Sequence, residues 1–119
     1  MENNPAFWTY LDKLISENEI IIDRPKGTRH PKYQDIVYCA DYGYIKGTSS
    51  MDNSGIDVFA GTEPGQKIDS IICTIDLLKK DSEIKILIGC TDMEKMEIYN
   101  FLNNSDFMKA ILINRQTVC

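Results

Sequence analysis

The N-terminal segment has apolar residues at helical spacing. One face of a helix predicted over residues 4–17 is apolar, and it is formed by Phe7, Leu11, Leu14 and Ile15, with Trp8 beside them. Asn4 is a suitable N-cap, and Pro5 suits the first turn of a helix. The chain therefore begins with a predicted amphipathic helix.

Short strands separated by turns are predicted next. Apolar and β-branched residues indicate strands at three places: 19–23, 55–60 and 110–114. Segment 33–38 is expected to be extended, and residues 24–32 are predicted to form a basic turn, since four of these nine residues are Lys or Arg.

Alternation of polar and apolar residues is clearest over 68–89, which predicts a β-hairpin. A turn at 79–82 would place Asp76 directly opposite Lys85. Glu83 would then lie near both of these charged residues.

A second helix is predicted at 92–103, because Thr91 and Glu94 have the spacing of a capping box. The chain of 119 residues (1–119) is expected to form one domain. Its order would be a helix, a barrel over 19–89, a helix and a last strand. This pattern predicts a mainly β fold with flanking helices, in the α+β class, with a small closed or half-closed barrel.

The net charge of −5 argues against nonspecific nucleic-acid binding, which depends on Lys and Arg neutralising phosphates. Apolar runs stay well short of the ~20 residues that span a bilayer, and no membrane partner is expected. The N-terminus lacks a basic region followed by an apolar segment, so we expect a cytoplasmic protein. The sequence leaves open whether the protein assembles into a homo-oligomer.

The cysteine and histidine residues do not indicate a metal site. Cys39, Cys73, Cys90 and Cys119 include no C-x-x-C pair and are expected to be buried thiols rather than disulfides or zinc ligands. His30 is the only histidine, and we do not expect it to bind a metal by itself.

The segment 38–58 carries the strongest chemical signal. Tyr38, Tyr42 and Tyr44 precede a glycine-containing loop in which Asp52 and Asp57 are five residues apart. Carboxylates are suitable ligands for a hard cation, and tyrosine hydroxyls can donate hydrogen bonds to an oxyanion. This combination predicts a site for a metal ion and a phosphate group.

This segment resembles the core motif of the soluble family I inorganic pyrophosphatases. The family's D-G-D-P-x-D-V corresponds here to Asp52-Asn53-Ser54-Gly55-Ile56-Asp57-Val58, preceded by Tyr38-x-x-x-Tyr42-Gly43-Tyr44. Weaker similarities are Ile22-Asp23-Arg24-Pro25-Lys26-Gly27-Thr28 to I-E-I-P-K-G-S, Lys32-Tyr33-Gln34 to K-Y-E, and Asp76 with Glu83-Ile84-Lys85 to a later D…D-A-K element.

The resemblance implies a five-stranded, OB-like barrel that hydrolyses inorganic diphosphate to two phosphates with Mg²⁺ as cofactor. The metal ligands it implies are Asp52, Asp57, Asp76 and Glu83. The phosphate contacts would come from Lys26, Lys32, Lys85, Tyr38 and Tyr42, with Arg24 or Arg29 substituting for an arginine of the family. Asp52, Asp57, Tyr42 and Ser54 would form the catalytic centre.

Ser54 is the main departure from the family pattern. It stands where the family has the aspartate credited with deprotonating the attacking water, and a hydroxyl cannot accept that proton as a carboxylate does. General-base catalysis contributes about 10²–10⁴ in rate, so slow hydrolysis is predicted.

Alternatives remain open. The chain could hydrolyse another phosphoanhydride, or bind phosphate or nucleotide without catalysis. An oligonucleotide-binding barrel is disfavoured by the acidic charge. Asp76, Glu83 and Lys85 could also be a solvated ion pair, and the tyrosines could be core residues.

Overall fold

The computed structural model describes residues 4–50 and 54–115. The helices and strands within these ranges are α1 (Pro5–Ser16), β1 (Ile20–Arg24), β2 (Asp41–Ile45), β3 (Ile56–Ala60), β4 (Ile68–Asp76), β5 (Asp81–Ile88), α2 (Asp92–Leu102) and β6 (Met108–Asn114). Both predicted helices are present. The Asn4 side chain caps α1, and Thr91 and Glu94 form the capping box of α2.

The strands form one open sheet of six, in the order β1-β2-β3-β5-β4-β6. Strands β3 and β5 pair in parallel, and the other neighbours are antiparallel. The predicted mainly β, α+β class is confirmed. The sheet has one strand more than the five that the resemblance implied.

Segment 33–38, which we expected to be extended, contains a turn, and its pairing is limited to a single bridge between Arg29 and Val37. The strand lies later, at Asp41–Ile45. Gly43 allows β2 to pack closely against β1, because a Cβ at this residue would lie only 1.8 Å from the Ile21 carbonyl oxygen on β1. A close approach of two backbones requires glycine.

Each face of the sheet has its own hydrophobic core. On one face α1 contributes Trp8, Leu11 and Ile15, whereas Phe7, predicted on that face, is 43% exposed. On the other face α2 contributes Ile98 and Leu102, which pack with Phe59, Ile72 and Leu87 of the sheet. Because side chains alternate along a strand, the polar side chains that point to this second face lie on the same side of the sheet as the core formed with α2, called the α2 core below.

The predicted hairpin exists, but its register was wrong. The turn covers 77–80, so that Asp76 pairs with Asp81 and Lys85 pairs with Ile72. Asp76 ends its strand early because its Oδ1 accepts hydrogen bonds from the backbone N–H groups of Leu78 and Lys79. Such a short-range bond from an aspartate competes with continued strand pairing.

In the described parts of the chain, no helix is long and apolar enough to cross a membrane. Cys39, Cys73 and Cys90 are free thiols, but the expected burial is confirmed only for Cys90, since Cys39 and Cys73 are half-buried. Cys119 lies outside the described residues.

Candidate functional site

A polar cleft of about 420 Å³ opens on the same face of the sheet as the α2 core. Its lining combines carboxylates, cations and tyrosines, including Asp57, Glu83, Lys85, Arg24 and Tyr42. A larger depression of about 1500 Å³ lies on the opposite face, but its lining is mostly apolar. The smaller cleft is the better candidate for chemistry, because it gathers the ionisable groups.

Lys85 is the centre of the cleft. Its Nζ lies 2.8 Å from Asp57 Oδ2 and 3.1 Å from Glu83 Oε2, and it donates to the Tyr42 hydroxyl at 3.0 Å. Glu83 and Lys85 share a face because they are two residues apart on β5. Asp57 reaches Lys85 because the parallel register of β3 and β5 pairs these two residues directly.

Burial and charge together set the protonation of this group. Burial alone would lower the pKa of Lys85, but its polar neighbours raise it overall. We attribute the rise to the Asp57 carboxylate, because burial also raises the pKa of Tyr42 and keeps its hydroxyl neutral. Burial raises the pKa of Glu83 despite the opposing effect of Lys85, and the nearby Asp57 adds to the rise.

A stack of aromatic rings forms the adjoining wall of the cleft. The rings of Tyr38 and Tyr42 stack with centroids 5.2 Å apart, and the Arg24 guanidinium lies 5.5 Å from the Tyr38 ring and 5.9 Å from the Tyr42 ring. Arg24 also donates a hydrogen bond to the Tyr38 hydroxyl. These contacts fix the guanidinium at the cleft and leave further N–H donors for a ligand, since arginine carries five.

The structure brings several of the predicted site residues together. Tyr42, Ser54, Asp57, Glu83 and Lys85 all line the cleft. Tyr38 is buried behind Tyr42, with which it stacks.

Three predicted phosphate-binding cations lie outside this lining. The Lys26 side chain is exposed, and its backbone N–H donates to Asp41. Arg29 donates to the carbonyl of Gln34, and Lys32 lies over the ring of Tyr33. All three belong to the loop between β1 and β2, and none of them lines the cleft.

Of the remaining predicted metal ligands, Asp76 does not line the cleft. Asp76 is buried at the end of β4, and its Oδ1 holds the hairpin turn. Asp52 lies outside the described residues. The expectation that the four carboxylates converge is therefore wrong for Asp76, whereas Asp57 and Glu83 do line one cleft.

Three cleft residues were missed or undervalued at the sequence level. The sequence predicts Arg24 only as a substitute for a family arginine, predicts no metal-binding role for His30 and places Lys79 in a turn, yet all three line the cleft. The position of Arg24 at the end of a strand was one available signal. The sequence held no comparable signal for Lys79, because it reaches the cleft only through the true hairpin register.

Within residues 4–50 and 54–115, no group of three or more His, Cys, Asp and Glu side chains could hold a metal ion. Mg²⁺ is commonly held by one or two carboxylates, with water and substrate phosphates completing its shell. Asp57 and Glu83 satisfy this smaller requirement. Glu83 Oε1 is buried without a hydrogen-bond partner in the described structure, so an oxygen ligand is available there.

Comparison with known proteins finds a likeness in structure only. No family model matches the chain, and no curated protein sequence matches it. A crystal structure of an inorganic phosphatase from Anaplasma phagocytophilum is similar to it, with a TM-score of 0.53 and 14% sequence identity. The match covers 80% of this chain and 81% of that one. This likeness shows the α+β fold that the two proteins share.

Proposed function

We propose that this protein is a phosphoanhydride hydrolase that cleaves inorganic diphosphate to two phosphates with Mg²⁺. The observation that carries the proposal is the arrangement of Asp57, Glu83 and Tyr42 around Lys85 in a cleft that Arg24 and Lys79 also line. The fold likeness to a protein described as an inorganic phosphatase supports it. Inorganic diphosphate or another phosphoanhydride is the proposed substrate.

The cations that bind the substrate would be those that no carboxylate already neutralises. Lys85 contacts two carboxylates, whereas the Arg24 guanidinium and the Lys79 ammonium have no carboxylate within salt-bridge distance in the described structure. Arg24 suits a phosphoryl group because its planar donors match two oxygens at once. These two cations, rather than Lys26, Arg29 and Lys32, would therefore bind the substrate.

The chain also places a neutral proton donor at the cleft. Tyr42 accepts a hydrogen bond from Lys85, and its raised pKa keeps the phenolic proton in place at neutral pH. The Asp57 carboxylate also interacts with this hydroxyl and adds to the rise of its pKa. With Asp57 turned to Mg²⁺, the phenolic proton would be donated to a phosphoryl oxygen on which charge develops, and such a fixed donor stabilises a transition state.

Asp57 and Glu83 would hold Mg²⁺, with Asp52 as a further proposed ligand. The ion supplies charge neutralisation and a more acidic bound water when it is present. Ser54 lines the same cleft but offers no carboxylate to accept the proton of that water. We therefore propose slow turnover.

The test is phosphate release from diphosphate, with and without Mg²⁺, alongside a panel of nucleoside polyphosphates. We expect Mg²⁺-dependent release from diphosphate and a fall of about 10²-fold or more in Arg24→Ala, because a charge-stabilising contact is lost. Lys46→Ala removes an exposed cation in the turn after β2 and is the matched control. Release from a nucleoside polyphosphate but not from diphosphate would identify another phosphoanhydride as the substrate.

A non-catalytic phosphate-binding or nucleotide-binding module is the second candidate. Ser54 in the cleft is the observation that favours it, because no carboxylate stands at that position. Binding of diphosphate without any phosphate release would establish this function and refute hydrolysis. The cytoplasmic location and the absence of a nucleic-acid partner stay predictions.

A further inference from the structure

His30 lines the cleft but has no part in the reaction proposed above. It is the only histidine of the chain and lies half-buried in the loop between β1 and β2. Its ring is nearly parallel to that of Tyr38, at 17° and 6.3 Å between centroids. The aromatic stack therefore continues from Tyr42 through Tyr38 to His30.

The loop backbone selects one tautomer of this imidazole. Nδ1 accepts hydrogen bonds from the N–H groups of Lys32 at 3.0 Å and Tyr33 at 3.1 Å. A nitrogen that accepts cannot carry a proton, so the proton of the neutral ring is on Nε2. The structure gives Nε2 no hydrogen bond within the described residues, and its N–H is available as a donor.

The surroundings of the ring favour the neutral form. Burial lowers the pKa of His30, and the positive charges of Arg24, Lys79 and Lys32 lower it further. A proton on Nδ1 would also face the two backbone N–H groups that donate to this atom, so both hydrogen bonds would be lost and the groups would repel each other. A cleft that binds an anion thus has a histidine that donates a hydrogen bond without carrying a charge.

We propose that His30 Nε2–H donates a hydrogen bond to a phosphoryl oxygen of the anion bound by Arg24 and Lys79. The inference rests on the proposed function only in taking diphosphate as that anion. His30 is then a third substrate contact beside the two cations. Its tautomer is fixed before the substrate arrives, so that no reorganisation of the ring accompanies binding.

Nuclear magnetic resonance of the nitrogen-labelled full chain tests the tautomer directly. With a single histidine, the imidazole signals need no assignment by mutagenesis. We expect the Nε2–H form at neutral pH and a shift of the Nε2–H signal on addition of sodium diphosphate with Mg²⁺. The Nδ1–H form, an imidazolium at pH 7 or an unmoved signal in the presence of bound diphosphate would overturn the proposal.

Two substitutions separate donation from support of the loop. His30→Asn keeps an acceptor near the position of Nδ1 but has no group at Nε2, whereas His30→Gln keeps an N–H near Nε2. By calorimetry with diphosphate, we expect His30→Asn to weaken affinity about 10- to 100-fold, as loss of a hydrogen bond to a charged group does. His30→Gln should retain most of the affinity.

The reverse order, with the affinity kept in His30→Asn and lost in His30→Gln, would assign His30 to the loop and refute the proposal. Lys46→Ala is the control for unrelated changes in charge. These readouts measure binding and tautomer rather than turnover. If diphosphate binds but is never hydrolysed, the proposed hydrolase function is refuted, whereas the proposed His30 contact still stands.

Discussion

Lys85 shows at the residue scale how a buried charge holds two carboxylates together. We predict that Lys85→Met lowers the free energy of unfolding by about 3–5 kcal/mol at pH 7, because Asp57 and Glu83 remain buried without their cation. Urea denaturation measures this loss. Lys46→Met, at an exposed turn, should change stability little.

The same variant should show a characteristic pH dependence. Burial and Asp57 already raise the pKa of Glu83, so the folded state binds that proton more tightly than the unfolded state does. A carboxyl of this kind favours folding below its unfolded pKa, and that contribution is lost as the pH rises through the folded pKa. The deficit of Lys85→Met should therefore shrink on acidification below neutral pH, and a deficit independent of pH would contradict the account.

Ser54 decides at the same scale between a slow enzyme and a binding module. We predict that Ser54→Asp raises turnover of diphosphate by one or more orders of magnitude, because it adds a base to the cleft. Ser49→Asp adds the same charge beside the apolar depression and serves as the control. A folded Ser54→Asp protein that binds Mg²⁺ without faster turnover would count against the mechanism.

The β4–β5 hairpin is the element whose register matters most for the site. Asp76 holds its turn through two backbone N–H groups, and the turn carries Lys79 into the cleft. A buried aspartate that serves the turn and one that binds a metal respond differently to substitution.

We predict that Asp76→Ala destabilises the protein by about 1–3 kcal/mol, since buried hydrogen bonds are lost. Asp76→Asn keeps the Oδ1 acceptor and should remain close to the wild type in thermal unfolding. Titration with Mg²⁺ then checks that Asp76 serves the turn alone: we expect unchanged metal binding in Asp76→Asn, and weaker binding would contradict this assignment.

Net charge and metal binding belong to the scale of the whole molecule. The chain carries a net charge of −5, which favours cation binding in general, and Asp57 and Glu83 offer carboxylates for a cation in the cleft. We predict that millimolar Mg²⁺ raises the melting temperature, because a ligand of the native state stabilises it by mass action. Differential scanning calorimetry at matched ionic strength separates binding from general screening.

Asp57→Asn should lose most of that rise, while Glu17→Gln removes an exposed negative charge on the other side of the sheet and should keep it. The comparison uses the shift produced by Mg²⁺ rather than the absolute melting temperature, because Asp57→Asn also alters the contacts of Lys85. An equal shift in all three proteins would reject the metal site.

The sequence by itself determined the local features of this protein. Apolar spacing and capping residues were sufficient for α1 and α2, since a helix depends on contacts three and four residues apart. Strand alternation likewise placed Glu83 and Lys85 on one face of β5. The resemblance also predicted that one site contains Tyr42, Ser54, Asp57, Glu83 and Lys85, and these residues line one cleft.

Only the tertiary structure decided which distant groups meet. The parallel pairing of β3 with β5 brings Asp57 to Lys85, the hairpin register carries Lys79 to the cleft, and the loop after β1 presents His30 instead of Lys26 and Lys32. These outcomes depend on strand order, register and loop packing. Such long-range contacts are fixed by the energy of the whole assembled sheet, whereas sequence periodicity reports only on neighbours within one element.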